Sequence, residues 1–512
     1  MQRLAVHIEV ETEIAGAQPV ELLTRPCKPA QRLVRMAEIG GFERADRIDE
    51  VELQQLVEPV ELVHRLRGKS NLIHGKLTAT ARAARGNAIS PAVRFAFPRP
   101  GSVTNVSRMP VSLADIRAAR RRIAGVVFVT PCPESIPLSE ITGARIVCKL
   151  DNFQRTGSFK ERGARNALLL LPAVQQKRGV IAASAGNHAL GLAYHGKLLG
   201  IPVTVVMPDY TPLIKITTCE KLGARVIMGG PDFASARAAA DRLAASDGLA
   251  YIHGFDDPAI IAGQGTLGLE LLDQVRDLDA IVCPIGGAGL IAGVSLAVKS
   301  LKPKIKIIGV EGAGTGNFSA ALRAGKPVTV ARRATLADGL ATLTVGANAF
   351  ALARTRVDKV VKVDEAAISL AILRMVELEK TVVEGAAATP LAALMSGQLP
   401  ELAGKRVALV VCGGNIDPAI LSRVIEKGLV HDGRLTRFTA LISDRPGGLA
   451  VLCRVIADAG ASIKDIAHDR AFSGPDVSAV HAVCTVETRD RAHIAALHRA
   501  LKKNGFPLVV AR

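Results

Sequence analysis

Tryptophan is missing altogether, and aromatic residues make up only 3% of the 512-residue chain. Proteins that bind single-stranded nucleic acid stack bases on aromatic side chains, so that platform is lacking. Lys and Arg (65) outnumber Asp and Glu (47), a net charge of +18, which raises nucleic acid as a partner. The charge is spread along the chain, however, and no finger or RNA-recognition motif accompanies it. It fits a solvated surface and an anionic cofactor; no nucleic-acid partner is expected.

Paired cysteines are missing too. Cys27, Cys132, Cys148, Cys219, Cys283, Cys412, Cys453 and Cys484 form no CxxC and no repeated spacing. That excludes a disulfide framework or zinc site and reads as reduced thiols in a cytoplasmic protein. The histidines show no HxH or HExxH spacing, so no metal is expected. MQRLAVHIEVETEIAG lacks the apolar core of a secretory signal. AIVCPIGGAGLIAGVSLAV, 280–298, has the length and neutrality of a membrane span, but Pro284 and Gly286-Gly287 interrupt it. A buried strand, turn and helix explain it, and no membrane partner is expected.

Acidic residues vanish between Lys69 and Arg108, and Pro59 breaks the helical pattern of ELQQLVEPVELVHRL. Residues 1–108 read as a disordered basic extension. The character changes at MPVSLADIRAARRRIAG, where Ser112 caps an amphipathic helix with Asp115 three residues on. The native product is expected to begin at or near Met109.

What is abundant is aliphatic. Hydrophobic residues make 49% of the chain, and cores of Ala, Val, Leu and Ile favour helices packed on sheets. From about 140 to 430, strand-like runs (ARIVCKL, GVIAAS, VTVVMP, RVIMGG, AIVCPI, KIIGVE) alternate with helical ones such as GARNALLLLPAV. Such alternation implies βαβ units and a mostly parallel, doubly wound sheet. GLVHDGRLT, 428–436, reads as a boundary. Beyond it the order βαββαβ is ferredoxin-like.

Four stretches could carry chemistry. Gly286-Gly287-Ala288-Gly289 bares backbone N–H groups at a helix start, an anion or phosphate site or simply a tight turn. Gly287-x-Gly289-xxx-Gly293 with Glu311 imitates a dinucleotide fingerprint without its spacing, so nicotinamide binding is the alternative reading. In SAGNHALG, Ser184 and Asn187 suit a carboxylate or a helix cap. Cys412 ends a strand run where ligands sit, though a buried Cys is often only a small hydrophobe. In TGSFKERGA, Lys160 is either a solvated lysine or a reactive amine.

Together, KLDNFQRTGSFKERGA, SAGNHALG, GFDDPAIIAGQGTLGLE, GGAGL, TLADGLA, EGAAATP and VVCGGN resemble the fold-type-II pyridoxal phosphate enzymes. Within them the match, from about Leu113 to Gly428, is to threonine dehydratases (threonine ammonia-lyases). The resemblance implies an α/β catalytic domain at 109–430 with two doubly wound parallel-sheet subdomains, the smaller at about 156–256. It also implies a ferredoxin-like ACT domain at 436–512.

By the same resemblance Lys160 is the Schiff-base lysine, flanked by Phe159. Asn187 bonds the ring oxygen of pyridoxal 5'-phosphate. Gly286, Gly287, Ala288, Gly289 and Leu290 cradle the phosphate, Cys412 faces the ring nitrogen, and Gly339, Glu384 and Gly413 complete the cofactor site. Ser184, Ala185, Gly186, Asn187 and His188 hold the substrate carboxylate. A neutral thiol partner leaves the ring nitrogen largely unprotonated, which suits β-elimination. The implied reaction turns L-threonine into 2-oxobutanoate and ammonia, and L-serine into pyruvate, in isoleucine biosynthesis or threonine catabolism.

Asp444, Pro446, Gly447 and Leu449 fall where ACT domains bind an effector, here a branched-chain amino acid, and a homo-oligomer (dimer or tetramer) is implied. Three positions depart from related patterns. Ala288 replaces a glycine; its Cβ is tolerable at negative φ and slightly crowding otherwise. Asn317 replaces the second acid that, with Glu311, holds a metal in similar serine racemases. Ala185 replaces the serine those racemases use as a second acid–base group.

Overall fold

The structure, a computed structural model, describes residues 111–331, 333–470 and 478–509. The expectations for residues 1–108 and for a start at Met109 lie outside these residues. The helix Leu113–Ile123 opens on a capping box: the Asp115 N–H donates to Ser112 Oγ at 3.3 Å and the Ser112 N–H to Asp115 Oδ2 at 2.9 Å. Ile116, Ala119 and Ile123 recur at helical spacing and are its buried residues.

Ten strands follow up to Val411: β1 (Glu134–Ser135), β2 (Arg145–Leu150), β3 (Val180–Ala183), β4 (Val203–Met207) and β5 (Arg225–Met228), then β6 (Ala250–Tyr251), β7 (Ala280–Pro284), β8 (Lys306–Gly312), β9 (Lys359–Val363) and β10 (Arg406–Val411). They form two sheets. The larger has the order β1-β2-β10-β7-β8-β9 and is parallel apart from its two-residue edge β1. The smaller, β5-β4-β3-β6, is wholly parallel. Every residue of β3, β4 and β7 is buried. Continuous apolar runs of this kind belong to parallel sheets covered on both faces. Each buried Val, Leu or Ile contributes about 1.5–3 kcal/mol.

Small residues replace aromatics in the packing. Helices Pro258–Gln274 and Gly289–Leu301 touch backbone to backbone where Gly265 meets Gly293: a Cβ on Gly293 would lie 2.6 Å from the Gly265 nitrogen.

The run GARNALLLLPAV is not one helix. Lys160–Leu170 ends before Pro172, Leu171 is extended (φ −67°, ψ 140°), and a second helix runs Ala173–Arg178. Proline disfavours the α conformation in the residue before it. The helix also begins earlier than the periodicity indicates, at Lys160 itself. The 280–298 run divides into β7, a glycine turn and the helix Gly289–Leu301. Among the described residues, no helix is long and apolar enough to cross a membrane.

The last part has its own core. β11 (Leu435–Ser443), β12 (Ser462–Asp469), β13 (Ala479–Glu487) and β14 (Leu508–Val509) pair antiparallel in the order β12-β13-β11-β14. With helices Gly448–Asp458 and Arg491–Lys503 the order is βαββαβ. Phe438, Ala440 and Ile442 of β11 pack with Val480, Ala482, Cys484 and Val486 of β13, the period of two that buries one face of a sheet. An ionic cluster lies at the junction: Arg374 bonds Glu377 at 2.7 Å and Asp432 at 2.6 Å, and Arg434 also bonds Glu377.

Candidate active site

The site assembles where parallel strands end, the usual ligand position of such sheets. After β2 the chain makes a short turn and enters helix Lys160–Leu170. This entry loop is laced to the loop after β10: the Phe159 N–H donates to the Cys412 carbonyl at 2.9 Å and the Gly414 N–H to the Gly157 carbonyl at 2.9 Å. Lys160 is thereby held at the first turn of its helix. Its side chain is partly buried, and its Nζ donates to the Gly254 carbonyl at 2.5 Å. No carboxylate is bonded to it. Burial pushes its pKa down to about 8, against the opposing pull of Cys412 and Glu384. An amine in that range is an effective nucleophile and base near neutral pH.

β7 ends in the turn Gly286-Gly287-Ala288, and helix Gly289–Leu301 starts from it. Ala288 has φ +70°, the left-handed region, so the condition under which its Cβ is tolerable is not met. An L-residue there costs about 1–2 kcal/mol. A Cβ on Gly287 would stand 2.3 Å from the Phe255 ring, and one on Gly289 2.3 Å from the Phe255 carbonyl. The first amides of this long helix remain to meet an anion, with Leu290 just inside the first turn.

β3 leads through Ser184, Ala185 and Gly186, all half-buried, into helix Asn187–Leu199. Ser184 Oγ accepts the Gly186 N–H at 3.4 Å. Asn187 Nδ2 donates to both oxygens of Glu384, at 2.9 and 3.0 Å. Burial pushes Glu384 up to about pKa 7, though its bond from Asn187 works the other way. A Cβ on Gly413 would stand 2.6 Å from Glu384 Oε1, and one on Gly339 3.5 Å from the same oxygen. Cys412 is buried at the end of β10, and burial followed by the Glu384 charge holds its thiol well above the ordinary range. It is a neutral group.

His188 is the residue whose side chain turns away: its Nε2 bonds the Ile252 carbonyl at 3.0 Å, and burial, with Lys160 and His253, lowers its pKa to about 3. Only its backbone belongs to the Ser184–Asn187 turn. Glu311 accepts the Phe318 N–H at 2.7 Å and the Ser319 N–H at 3.2 Å, which makes it the partner of a helix start. Asn317 donates to Thr342 instead. Among the described residues, no group of acids, cysteines and histidines is arranged to hold a metal. In the C-terminal part, Asp444 is ion-paired with Arg470 at 2.9 Å, and Gly447 (φ +92°) precedes helix Gly448–Asp458. Pro446 and Leu449 flank that helix start, and Leu449 packs partly on the core.

Sequence reasoning missed three features. Gly254 and Phe255, the cover of the glycine turn, lie within a quoted motif without being singled out. Asn415 closes VVCGGN, and its Nδ2 donates to Asn187 Oδ1 at 2.8 Å. Beneath the lysine helix lies a buried charge quartet. Arg162 forks onto Asp151 at 2.6 and 2.8 Å and onto Glu270 at 2.6 and 2.8 Å, and Lys149 bonds Glu270 at 2.7 Å. Two cations and two anions balance in a dry interior, the condition under which buried charge is tolerated. No local periodicity flags such a set.

A phosphorylated carbonyl cofactor fits these residues. The amine of Lys160 is free to react with a carbonyl, the glycine turn leaves no room for side chains, and the buried hydroxyls of Thr156 and Ser158 have no hydrogen-bond partner. Fold and site thus describe a class, proteins built on two parallel sheets with a partly buried lysine beside a glycine turn that bares helix-start amides.

The comparisons say which. The family model described as pyridoxal-phosphate dependent enzyme matches residues 123–413, and the chain belongs to that family. It is a lyase, and its cofactor is pyridoxal 5'-phosphate. It is 42% identical over 396 residues to an L-threonine ammonia-lyase of Thermotoga maritima, covering 77% of this chain and 98% of that protein. Threonine deaminase isoform 2 of Solanum lycopersicum, 36% identical, covers 62% of this chain and 87% of its own with a TM-score of 0.60. The serine racemase of Dictyostelium discoideum, 35% identical, covers 60% of this chain and 99% of its own with a TM-score of 0.57. The nicotinamide alternative is overturned by this family membership.

Proposed function

We propose that the protein is a threonine ammonia-lyase, converting L-threonine to 2-oxobutanoate and ammonia and L-serine to pyruvate and ammonia. The observation that carries this is Lys160, an amine of depressed pKa that forms no salt bridge among the described residues, in one site with the glycine turn, Asn187 and the neutral Cys412. The 42% identity to a threonine ammonia-lyase supports the substrate.

Bound pyridoxal phosphate supplies an electron sink for the charge that develops at the substrate's α-carbon. The protein's residues do the rest. The amides at Gly286–Leu290 would hold the phosphate, Asn187 Nδ2 would donate to the ring oxygen, and Phe159 and Gly339 would line the cofactor site. Cys412 would present a neutral thiol to the ring nitrogen and so temper the sink. The Ser184–Asn187 turn and the backbone of His188 bind the carboxylate. Lys160 Nζ would take the α-proton and pass a proton on to the departing β-hydroxyl, which leaves as water. That water is regained when the released enamine hydrolyses to keto acid and ammonia.

Residues 109–430 act as the catalytic part in this reading, with 156–256 inserted. Residues 436–512 act as an ACT module whose Asp444–Leu449 turn takes a branched-chain amino acid; its βαββαβ order supports this. Exposed Phe128, Val129 and Ile136 support a homo-oligomer.

Incubating the holoprotein with L-threonine and with L-serine, then measuring ammonia and each keto acid, tests the activity. Absence of both keto acids would sink it. Titration with isoleucine and valine, read as a shift in rate or melting temperature, tests the module.

A further inference from the structure

We propose that Asn415 is a positioning residue: it sets which end of the Asn187 amide faces the cofactor ring. The inference rests on the proposed cofactor role of Asn187, and it names a residue of VVCGGN to which the resemblance gave no role.

An asparagine amide can turn over, exchanging a donor for an acceptor, and only its partners decide the orientation. Here the decision passes along a chain of contacts. The Thr156 carbonyl can only accept, and Asn415 Nδ2 donates to it at 2.7 Å. That places the Asn415 amino group, rather than its oxygen, at this point. Its other N–H donates to Asn187 Oδ1 at 2.8 Å. With its oxygen so engaged, Asn187 points Nδ2 at the carboxylate of Glu384. The amide that meets the cofactor therefore presents a donor.

The anchor is tight at its other side. A Cβ on Gly157 would stand 2.5 Å from Asn415 Oδ1, so the lysine loop can approach this closely only because residue 157 is glycine, at φ +73°. Thr156 lies four residues before Lys160. A single half-buried side chain thus ties the lysine loop to Asn187, 228 positions away in sequence.

Two substitutions separate orientation from mere support. Asn415→Asp removes both donated bonds and puts an acceptor opposite Asn187 Oδ1, which favours the reversed amide. Combining it with Glu384→Gln lets the reversed amide be satisfied at both ends, Nδ2 on Asp and Oδ1 on the Gln amino group.

The holoproteins are compared by the visible absorption and fluorescence of the bound cofactor, thermal melting, and kcat and KM for L-threonine. Asn415→Asp is expected to shift the visible band and lower kcat by about tenfold to a hundredfold, with KM within about threefold. The double variant is expected to regain wild-type melting but neither the band nor kcat. Recovery of all three together would overturn the proposal, because a bracing role alone would behave that way. An unchanged band and kcat in the neutral truncation Asn415→Ser would overturn it equally, and serves if the charged variant does not fold. The band reports on Asn415 even if the wild type releases no ammonia from threonine, the result that would instead sink the assigned reaction.

Discussion

The amine of Lys160 lies 2.5 Å from the carbonyl oxygen of Gly254 and 5.2 Å from the centre of the Phe159 ring. Neither neighbour can take its proton or neutralise its charge. The backbone carbonyl holds the amine in place, while burial lowers its pKa to about 8. In the proposed reading, Lys160→Ala removes the group that bonds cofactor and moves the proton. Turnover is expected to fall at least about a thousandfold, with the visible band of the lysine-bound cofactor lost and the melting temperature retained. Wild-type turnover in this variant would contradict the assignment.

The same pKa sets a pH dependence. Only the unprotonated amine has a lone pair for the cofactor carbonyl, so capture by cofactor-free protein should accelerate as pH rises. Half-maximal rate is expected near pH 8, not near the ordinary lysine value of 10.5. Stopped-flow absorbance across pH 6.5–11.5 (about the range bracketing both values) reads the midpoint. A midpoint near the ordinary value would mean that the amine is not desolvated.

Glu270→Ala would strip the shared carboxylate from Lys149 and Arg162, both fully buried. Breaking a buried ion network by removing one partner costs about 3–5 kcal/mol. Chemical denaturation should show a loss of that order, with the catalytic groups untouched. A loss below about 1 kcal/mol, the range of exposed pairs, would indicate that water reaches the quartet.

Ala288→Gly relieves the one left-handed alanine of the phosphate turn. The relief of about 1–2 kcal/mol outweighs the added chain entropy of glycine, roughly 0.5–1 kcal/mol. A gain of a few tenths to about 1 kcal/mol in unfolding free energy is expected. Destabilisation would show that the methyl, buried at 3% exposure, contributes more by packing than it costs in strain.

Ala185 follows Ser184 in the carboxylate turn and has no proton to give or take. With reprotonation available only from Lys160, incubation with L-serine should yield pyruvate and negligible D-serine. Ala185→Ser should bring a measurable gain of D-serine on chiral chromatography. Substantial D-serine from the wild type would displace elimination as the main reaction.

Part of the site was legible locally. TGSFKERGA by itself leaves Lys160 either solvated or reactive until the family resemblance is added. The glycine turn after a strand run was legible as a helix start, because a turn that bares amides needs residues without side chains. The Ser112–Asp115 cap appeared where its spacing put it. Periodicity failed at Pro172, where one apolar run conceals two helices. It was also silent on β1 and β6, two-residue strands too short to show a period.

By itself, the sequence determined the local pieces: caps, strand runs and the glycine turn that opens a helix. Each depends on interactions within about four residues, the reach of helical and strand periodicity. Only the tertiary structure decided the companions of Lys160. Asn415 meets Asn187 across 228 positions, Asn187 meets Glu384 across 197, and Arg162 meets Glu270 across 108. Asn415 comes within reach because β10 pairs with β2, bringing late chain beside early chain. Glu384 is tied to the same loop by its N–H bond to the Gly413 carbonyl, and Arg162 meets Glu270 where helix Lys160–Leu170 packs on helix Pro258–Gln274. Whether a buried polar group finds its partner is settled by that long-range packing, and the pKa values of Lys160 and Glu384 follow from the burial it creates.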